Sequence, residues 1–168
     1  MSGLHPLIDW LFNLRGPSLK WELDTAKAFS AWLGHPEREP AFVHVSGTNG
    51  KGSVAATIHA IAQAADLRAG LFTSPHLVCP TERIRVGESS IDQERFLARI
   101  EWLKAEADRA LETGAIPRYP SFFEMMTAAA FLQAPMHLPA LDRVPRDVPQ
   151  SRPTPHDHAR HLGRGLQR

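Results

Sequence analysis

Behind Pro6, which a first helical turn tolerates, Leu4, Leu7, Ile8, Leu11 and Leu14 recur at helical spacing until Gly16-Pro17 ends the segment. This predicts an amphipathic helix. A second stripe, Leu19, Leu23, Ala26, Phe29 and Leu33, stops at Gly34 with Pro36 beyond it, as helix ends commonly do. The short apolar run Phe42-Val43-His44-Val45-Ser46 predicts a strand that leads into a glycine-rich turn. After the turn, Val54, Ile58, Ile61, Ala62 and Ala65 form a third stripe, which predicts a helix packed on a sheet, with His59 facing solvent. Gly70-Leu71-Phe72-Thr73 predicts a second strand, and strand, helix, strand is the unit that builds a parallel sheet. The expected class is α/β, a parallel sheet flanked by helices.

Further on, Glu82-Arg83-Ile84-Arg85-Val86 alternates polar and apolar residues and runs into Gly87-Glu88-Ser89-Ser90-Ile91, which predicts a small hairpin. Asp92 is placed to cap a long helix carrying Phe96, Ile100, Leu103, Ala107 and Leu111 on one face and ending near Gly114. Ser121-Phe122-Phe123-Glu124 has the spacing of a capping box. It opens a segment apolar on nearly all sides: Met125, Met126, Ala128, Ala129, Ala130, Phe131 and Leu132. Such a helix is expected inside a larger protein.

From Ala134 the character changes. Of the last 35 residues, 6 are Pro, 6 Arg and 4 His, with no Lys, Glu, Ile, Phe or Trp, so this stretch cannot make a core and is expected to be disordered. The expected organisation is an ordered portion, residues 1–133, followed by a Pro/Arg/His-rich tail, residues 134–168. The tail's bias is what a GC-rich gene read out of frame would give, and that is the hypothesis for its origin. His156, His158 and His161 could hold a metal in principle, but in a disordered tail they read as incidental.

A chain of 168 residues with 43% apolar residues has room for one ordinary domain. Its formal net charge of +1 gives no signal for binding nucleic acid or another polyanion. Residues 1–133 carry 13 basic and 15 acidic side chains and residues 134–168 carry 6 and 3, so only the tail is basic. A single cysteine, Cys79, rules out an internal disulfide, favours a reducing compartment and reads as unreactive. No stretch is apolar enough to span a bilayer and no secretion signal is evident, so a cytoplasmic protein without membrane association is expected.

The chemistry concentrates at Gly47-Thr48-Asn49-Gly50-Lys51-Gly52-Ser53, between the predicted strand and helix. A strand, turn and helix aims backbone N–H groups and a helix N-terminus at one point, which suits a nucleotide phosphate. The three glycines permit unusual dihedrals and close approach, Lys51 can reach the β- and γ-phosphates, and the Ser53 hydroxyl can meet Mg²⁺. The spacing is shorter than the usual P-loop, because Gly47 stands three residues before Gly50 and Gly52 intervenes before Ser53. Ser74-Pro75-His76-Leu77 follows the second strand at its carboxyl end, where ligands of open α/β sheets tend to sit.

Ser46-Gly47-Thr48-Asn49-Gly50-Lys51-Gly52-Ser53 resembles the P-loop of the Mur ligase superfamily, and in particular of its folylpolyglutamate synthase/dihydrofolate synthase branch. Leu71-Phe72-Thr73-Ser74-Pro75-His76-Leu77, Glu82-Arg83-Ile84-Arg85-Val86 and Ser121-Phe122-Phe123-Glu124-Met125 resemble further motifs of that family, in its order. The likeness covers roughly residues 4 to 133 and then stops, as for an N-terminal part of a Mur-ligase-like ATPase domain with a partial P-loop.

The resemblance implies ATP and Mg²⁺ as cofactors, with Gly47, Thr48, Asn49, Gly50, Lys51, Gly52 and Ser53 at the nucleotide and Lys51 acting in catalysis. It assigns Mg²⁺ to Ser74, which competes with or complements Ser53. It places the loop around Arg83, and less directly Arg85, near the pterin. Phe122 and Phe123 offer faces for the pterin to stack on, with Ser121 and Glu124 beside them, although the capping box alone explains those two. The segment from Arg15 to Trp21 borders the folate site in the family, but matches too loosely for any contact to be assigned.

The implied reaction joins L-glutamate to dihydropteroate or tetrahydrofolate through an acyl phosphate made from ATP, in an enzyme that is usually monomeric. The family would continue with a Mg²⁺-binding glutamate on a further strand and a histidine ligand, which residues 134–168 lack. Little or no turnover is therefore expected of this chain alone. Two alternatives stand: a non-catalytic ATP-binding fragment, and a small P-loop kinase or NTPase, which should carry an acidic Mg²⁺ partner at the end of a later apolar strand.

Overall fold

The computed structural model describes residues 5–14 and 23–133. The expectations for Leu4, Leu19, the segment from Arg15 to Trp21 and the tail from Ala134, its histidines included, lie outside the described residues.

Helix α1 (Pro6–Asn13) starts where His5 Nδ1 accepts from the Leu7 N–H at 3.2 Å, and it buries Ile8 and Leu11. Helix α2 (Asp24–Trp32) buries Thr25 and Phe29. Leu23, expected on its apolar face, precedes the first turn and is exposed. Gly34 follows in the left-handed conformation with φ 81° and turns the chain towards Pro36.

Helix α4 (Gln93–Glu112) is the central rod, 20 residues long, with the Asp92 side chain accepting from the Arg95 N–H at 2.8 Å. It buries Phe96, Ile100, Leu103, Ala107 and Ala110. Ala110, rather than the expected Leu111, completes that face, because alternating steps of four and three hold a 3.6-residue period while Leu111 falls outside it and is exposed. Helix α5 (Phe122–Gln133) crosses α4 and buries Met125, Met126, Ala128 and Ala129. These residues, with Leu11, Phe29 and Ile116, form one core, joined by Ile84 from a small sheet and by Ile91 just after its last strand.

That sheet contains β1 (Gly70–Phe72), β2 (Ile84–Val86) and β3 (Ser89–Ser90), in that order. The β2–β3 hairpin is as expected, with Gly87 at φ 62° in its turn. Glu82 and Arg83, read as part of its first strand, belong instead to a 3₁₀ turn, Pro80–Arg83. Both pairings are antiparallel, with Phe72 opposite Ile84 and Gly70 opposite Val86, so the parallel sheet expected from strand, helix, strand is absent among the described residues. Residues 42–46 are not a strand: a parallel strand needs a neighbour's ladder, among the described residues β1 pairs only with β2, and Phe42 and Val43 are left 64% and 69% exposed.

Helix α3 (Lys51–Ala64) reverses two expectations. Its predicted stripe, Val54, Ile58 and Ile61, faces outward, while His59 is buried and its Nε2 lies 3.3 Å from the Ala69 carbonyl. With no strand at 42–46 to cover the stripe, the helix rests on the turn into β1, where Gln63 Nε2 also donates to the Ala69 carbonyl at 3.3 Å.

Candidate functional site

Because α3 packs on β1 and joins it by a short reversal, the start of α3 and the end of β1 lie at the same end of this unit. Both predicted ligand-binding segments are there. At the first, residues 47–50 are irregular, and Gly50 caps α3 with φ 74° while Gly47 has φ 151°, both conformations that favour glycine. Gly52 differs from expectation: it lies inside the helix without a positive φ, and an added Cβ would meet nothing within 4 Å. Its backbone needs no glycine; what its small size leaves is open space beside the helix start.

Lys51 is exposed, and its Nζ donates to the carbonyls of Gly47 at 2.6 Å and Thr48 at 3.1 Å. The ammonium is thus folded over its own loop onto neutral acceptors. Bonds to ionised oxygen are about twice as strong, so an arriving phosphate can draw it away. Ser53, also exposed, stands in the first turn of α3. The exposed helix start, the lysine and the hydroxyl fit a phosphate ligand.

The second segment is tied together more tightly. The Thr73 N–H donates to the Arg83 carbonyl at 3.0 Å, which continues the β1–β2 ladder and brings Ser74 beside Arg83. Arg83 is buried; its Nε donates to His76 Nδ1 at 2.8 Å and its Nη1 donates to Ser74 Oγ at 2.9 Å. Its Cζ lies 5.0 Å from the Phe122 ring centroid, within cation–π range. Phe12 stacks on both His76 and Phe122, with centroids at 5.6 and 5.5 Å. Burial, and then the Arg83 charge, hold the His76 pKa below its ordinary value.

Glu82 shapes the loop between them by accepting the N–H groups of Leu77, Val78 and Cys79 at 2.8, 3.0 and 2.8 Å. Those bonds hold its carboxyl below the usual range. Cys79 Sγ accepts from Thr81 Oγ1 at 3.2 Å. Arg85 points elsewhere and donates to the Glu88 carbonyl at 2.6 Å.

Arg83, Ser74 and Phe122 are therefore brought into one cluster. Phe123 turns away from it, half-exposed, with its ring 6.1 Å from that of Phe72 at the end of β1. Ser121 and Glu124 form the capping box as expected: the Ser121 N–H donates to Glu124 Oε2 at 2.7 Å and the Glu124 N–H to Ser121 Oγ at 3.4 Å. Arg118 adds a bidentate pair to the Glu124 carboxylate, at 2.8 and 3.0 Å. Sequence reasoning missed Phe12, His76 and Glu82 as site residues. Phe12 stood beside a legible core stripe and carried no signal of its own. His76 was quoted only as part of a motif, and Glu82 read as one polar step of an alternating strand.

Burial would raise the Glu124 pKa, but the bonds from Arg118 and Ser121 outweigh it and leave the carboxyl lowered. Its contribution to stability is thus complete above the ordinary carboxylate pKa and is lost as pH falls through the lowered, folded value. Glu124→Gln is expected to cost about 1.5–3 kcal/mol at neutral pH and less at an acid pH below the ordinary carboxylate pKa. Urea unfolding at both pH values checks this; an equal loss at both contradicts it.

For a magnesium ion, the hydroxyls of Ser53 and Ser74 are the hard oxygen donors here, and a hydroxyl already accepting from arginine keeps a second lone pair. No group of three or more His, Cys, Asp or Glu able to hold a metal occurs among the described residues. This donor set fits an ion held mainly by nucleotide phosphates rather than a protein cage.

No protein-family model matches the chain. It is 37% identical over 123 residues to the dihydrofolate synthase/folylpolyglutamate synthase of Bacillus subtilis, a match covering 73% of this chain and 28% of that protein. Over those residues the chain is homologous to the folylpolyglutamate synthase/dihydrofolate synthase family. The folylpolyglutamate synthase of Thermotoga maritima superposes with a TM-score of 0.66 at 33% identity, covering 76% of this chain and 29% of that one. A folylpolyglutamate synthase in complex with AMPPCP and folate gives 0.70 at 26% identity, covering 75% and 30%. The fold is accordingly the Mur-ligase-like α/β fold of folylpolyglutamate synthases. The chain spans about 30% of the length of these relatives. No helix among the described residues is long and apolar enough to cross a membrane.

Proposed function

We propose that residues 5–133 carry the ATP-binding and pterin-binding side of a ligase that joins L-glutamate to dihydropteroate or tetrahydrofolate. The observation that carries this is an exposed glycine loop and lysine at the start of α3, set at the same end as the Ser74–Arg83–Phe122 cluster. A homologous enzyme that binds both AMPPCP and folate supports it.

In this reading residues 47–53 hold the phosphates as a shortened P-loop. Lys51 leaves its loop carbonyls for the β- and γ-oxygens and neutralises charge as the γ-phosphoryl moves. Ser53 and Ser74 would hold Mg²⁺, which supplies further charge neutralisation when bound. Arg83, Ser121, Phe122, Phe123 and Glu124 border the pterin: Phe122 and Phe123 supply ring faces, while Glu124 acts by fixing the start of α5. A carboxylate is a poor electrophile, so the γ-phosphoryl passes onto it and ADP leaves; the glutamate amine then attacks the acyl carbon, the bond to phosphate breaks, and inorganic phosphate and the amine proton depart as the amide forms.

Parallel pairing of residues 42–46 beside β1 would complete a sheet of the family's kind and belongs to this proposal. So do a cytoplasmic location and small molecules as partners, with the monomeric state belonging to the full-length enzyme. A second reading, a non-catalytic ATP-binding chain, is favoured by the absence of an acidic metal cluster among the described residues.

Calorimetric titration of the 168-residue chain with ATP and Mg²⁺, followed by an assay for ADP with glutamate and either dihydropteroate or tetrahydrofolate present, tests the proposal. Saturable binding supports the nucleotide site. Binding without ADP release selects the non-catalytic reading for this chain, and no binding removes the site.

A further inference from the structure

His76 is not among the residues assigned above to nucleotide, metal or pterin, yet it is packed into their midst. Its Nδ1 accepts the Arg83 Nε–H at 2.8 Å, its ring stacks on Phe12 at 5.6 Å and 29°, and Phe122 lies 6.4 Å away. Arg83, 7% exposed, meets three partners in different directions: His76 through Nε, Ser74 through Nη1, and the Phe122 ring through its plane. A guanidinium is planar and rigid, so fixing Nε fixes where Nη1 points and which face Phe122 sees. Accepting at Nδ1 also places the ring proton on Nε2.

We infer that His76 is a positioning residue: its Nδ1 sets the orientation of the Arg83 guanidinium, so that one cation is held at once against the Ser74 hydroxyl and the Phe122 ring. Nη1 occupies one lone pair of Ser74 Oγ and thereby directs the other, the one left for a cation. The same plane closes one side of the aromatic shelf. A disturbance at Phe122 is thus felt at Ser74 through a single rigid group. The inference rests on the reading that Ser74 and Phe122 belong to one ligand site, but the His76–Arg83 contact can be tested without any ligand.

Two variants separate the roles of the ring and the acceptor. His76→Phe keeps the stacking on Phe12 and removes the acceptor; His76→Asn keeps an acceptor near the Nδ1 position and removes most of the ring. In the nitrogen-15-labelled 168-residue chain, the Arg83 Nε–H resonance is expected to be shifted from the ordinary arginine group and to show coupling across the hydrogen bond to His76 Nδ1. In His76→Phe it should return to the ordinary position with at least about tenfold faster hydrogen exchange, and in His76→Asn it should stay protected. Far-UV circular dichroism confirms that each variant is folded; if His76→Phe is not, protection in wild type and His76→Asn decides. An Arg83 Nε–H that exchanges freely in wild type, or is unchanged in a folded His76→Phe, overturns the inference.

Titration with pteroic acid, followed by tryptophan fluorescence, adds the link to function. Binding should weaken about tenfold in His76→Phe and recover in His76→Asn, with no further loss when His76→Phe is added to Arg83→Gln. Equal affinity of wild type and His76→Phe overturns the inference. If wild type binds no pteroic acid, the proposed function fails while the Arg83 resonance still decides on His76.

Discussion

Lys51→Ala is expected to lower the affinity of the chain for ATP and Mg²⁺ roughly 10- to 150-fold while leaving its thermal unfolding unchanged. The first figure is the loss of one charge-assisted contact to phosphate, about 1.5–3 kcal/mol. The second follows from where Lys51 sits: among the described residues its side chain donates to the carbonyls of Gly47 and Thr48, in an exposed loop. It anchors no part of the core. A folding defect would lower affinity and unfolding temperature together, so calorimetric titration and thermal unfolding of the same sample separate the two causes. Unchanged ATP affinity would remove residues 47–53 from the nucleotide site.

The second large effect concerns apolar surface. Phe42, Val43, Val54 and Ile61 are each at least half exposed, at 64%, 69%, 50% and 64%; the first two lie in the expected strand and the last two on the helix face expected to be covered by the sheet. Monomers rarely leave contiguous surface of that kind uncovered. The 168-residue chain is expected to raise the fluorescence of a hydrophobic dye several-fold over that of a folded protein of similar size, and to self-associate at high concentration. Replacing Val54 and Ile61 together by glutamine should remove much of the signal without unfolding the chain, since both side chains are at least half exposed and lie outside the core cluster. A dye-silent monomer in wild type would mean that something covers this face.

How legible the chain is depends on whether a residue's partners are near in sequence. The face of α4 was readable because Phe96, Ile100, Leu103 and Ala107 all meet one core, and the capping box because Ser121 and Glu124 bond each other. His59 and the Val54, Ile58, Ile61 stripe were read backwards, although the helix itself was right. Periodicity identifies a helix and its apolar side; which side is covered depends on what packs there, and the expected parallel sheet was not there to do it.

The site divides in the same way. The glycines and Lys51 form a contiguous pattern whose chemistry is local, so the loop could be found by inspection. The Ser74–His76–Arg83–Phe122 cluster joins residues up to 48 positions apart, through the Thr73–Arg83 ladder bond and the turn clasped by Glu82. Resemblance supplied Ser74 and Arg83. It did not supply Phe12, which arrives from α1 and has no chemistry of its own beyond a ring face.

The most direct test of the account is ADP formation by a chimaera in which residues 1–133 replace the matching segment of the Bacillus subtilis relative. That protein supplies the rest of the family's length, so the measurement asks only whether these residues make the ATP and pterin side of the site. ADP release is expected to require both glutamate and dihydropteroate or tetrahydrofolate, and to be lost in the Lys51→Ala chimaera. A folded chimaera that binds ATP but forms no ADP with both substrates present would contradict it.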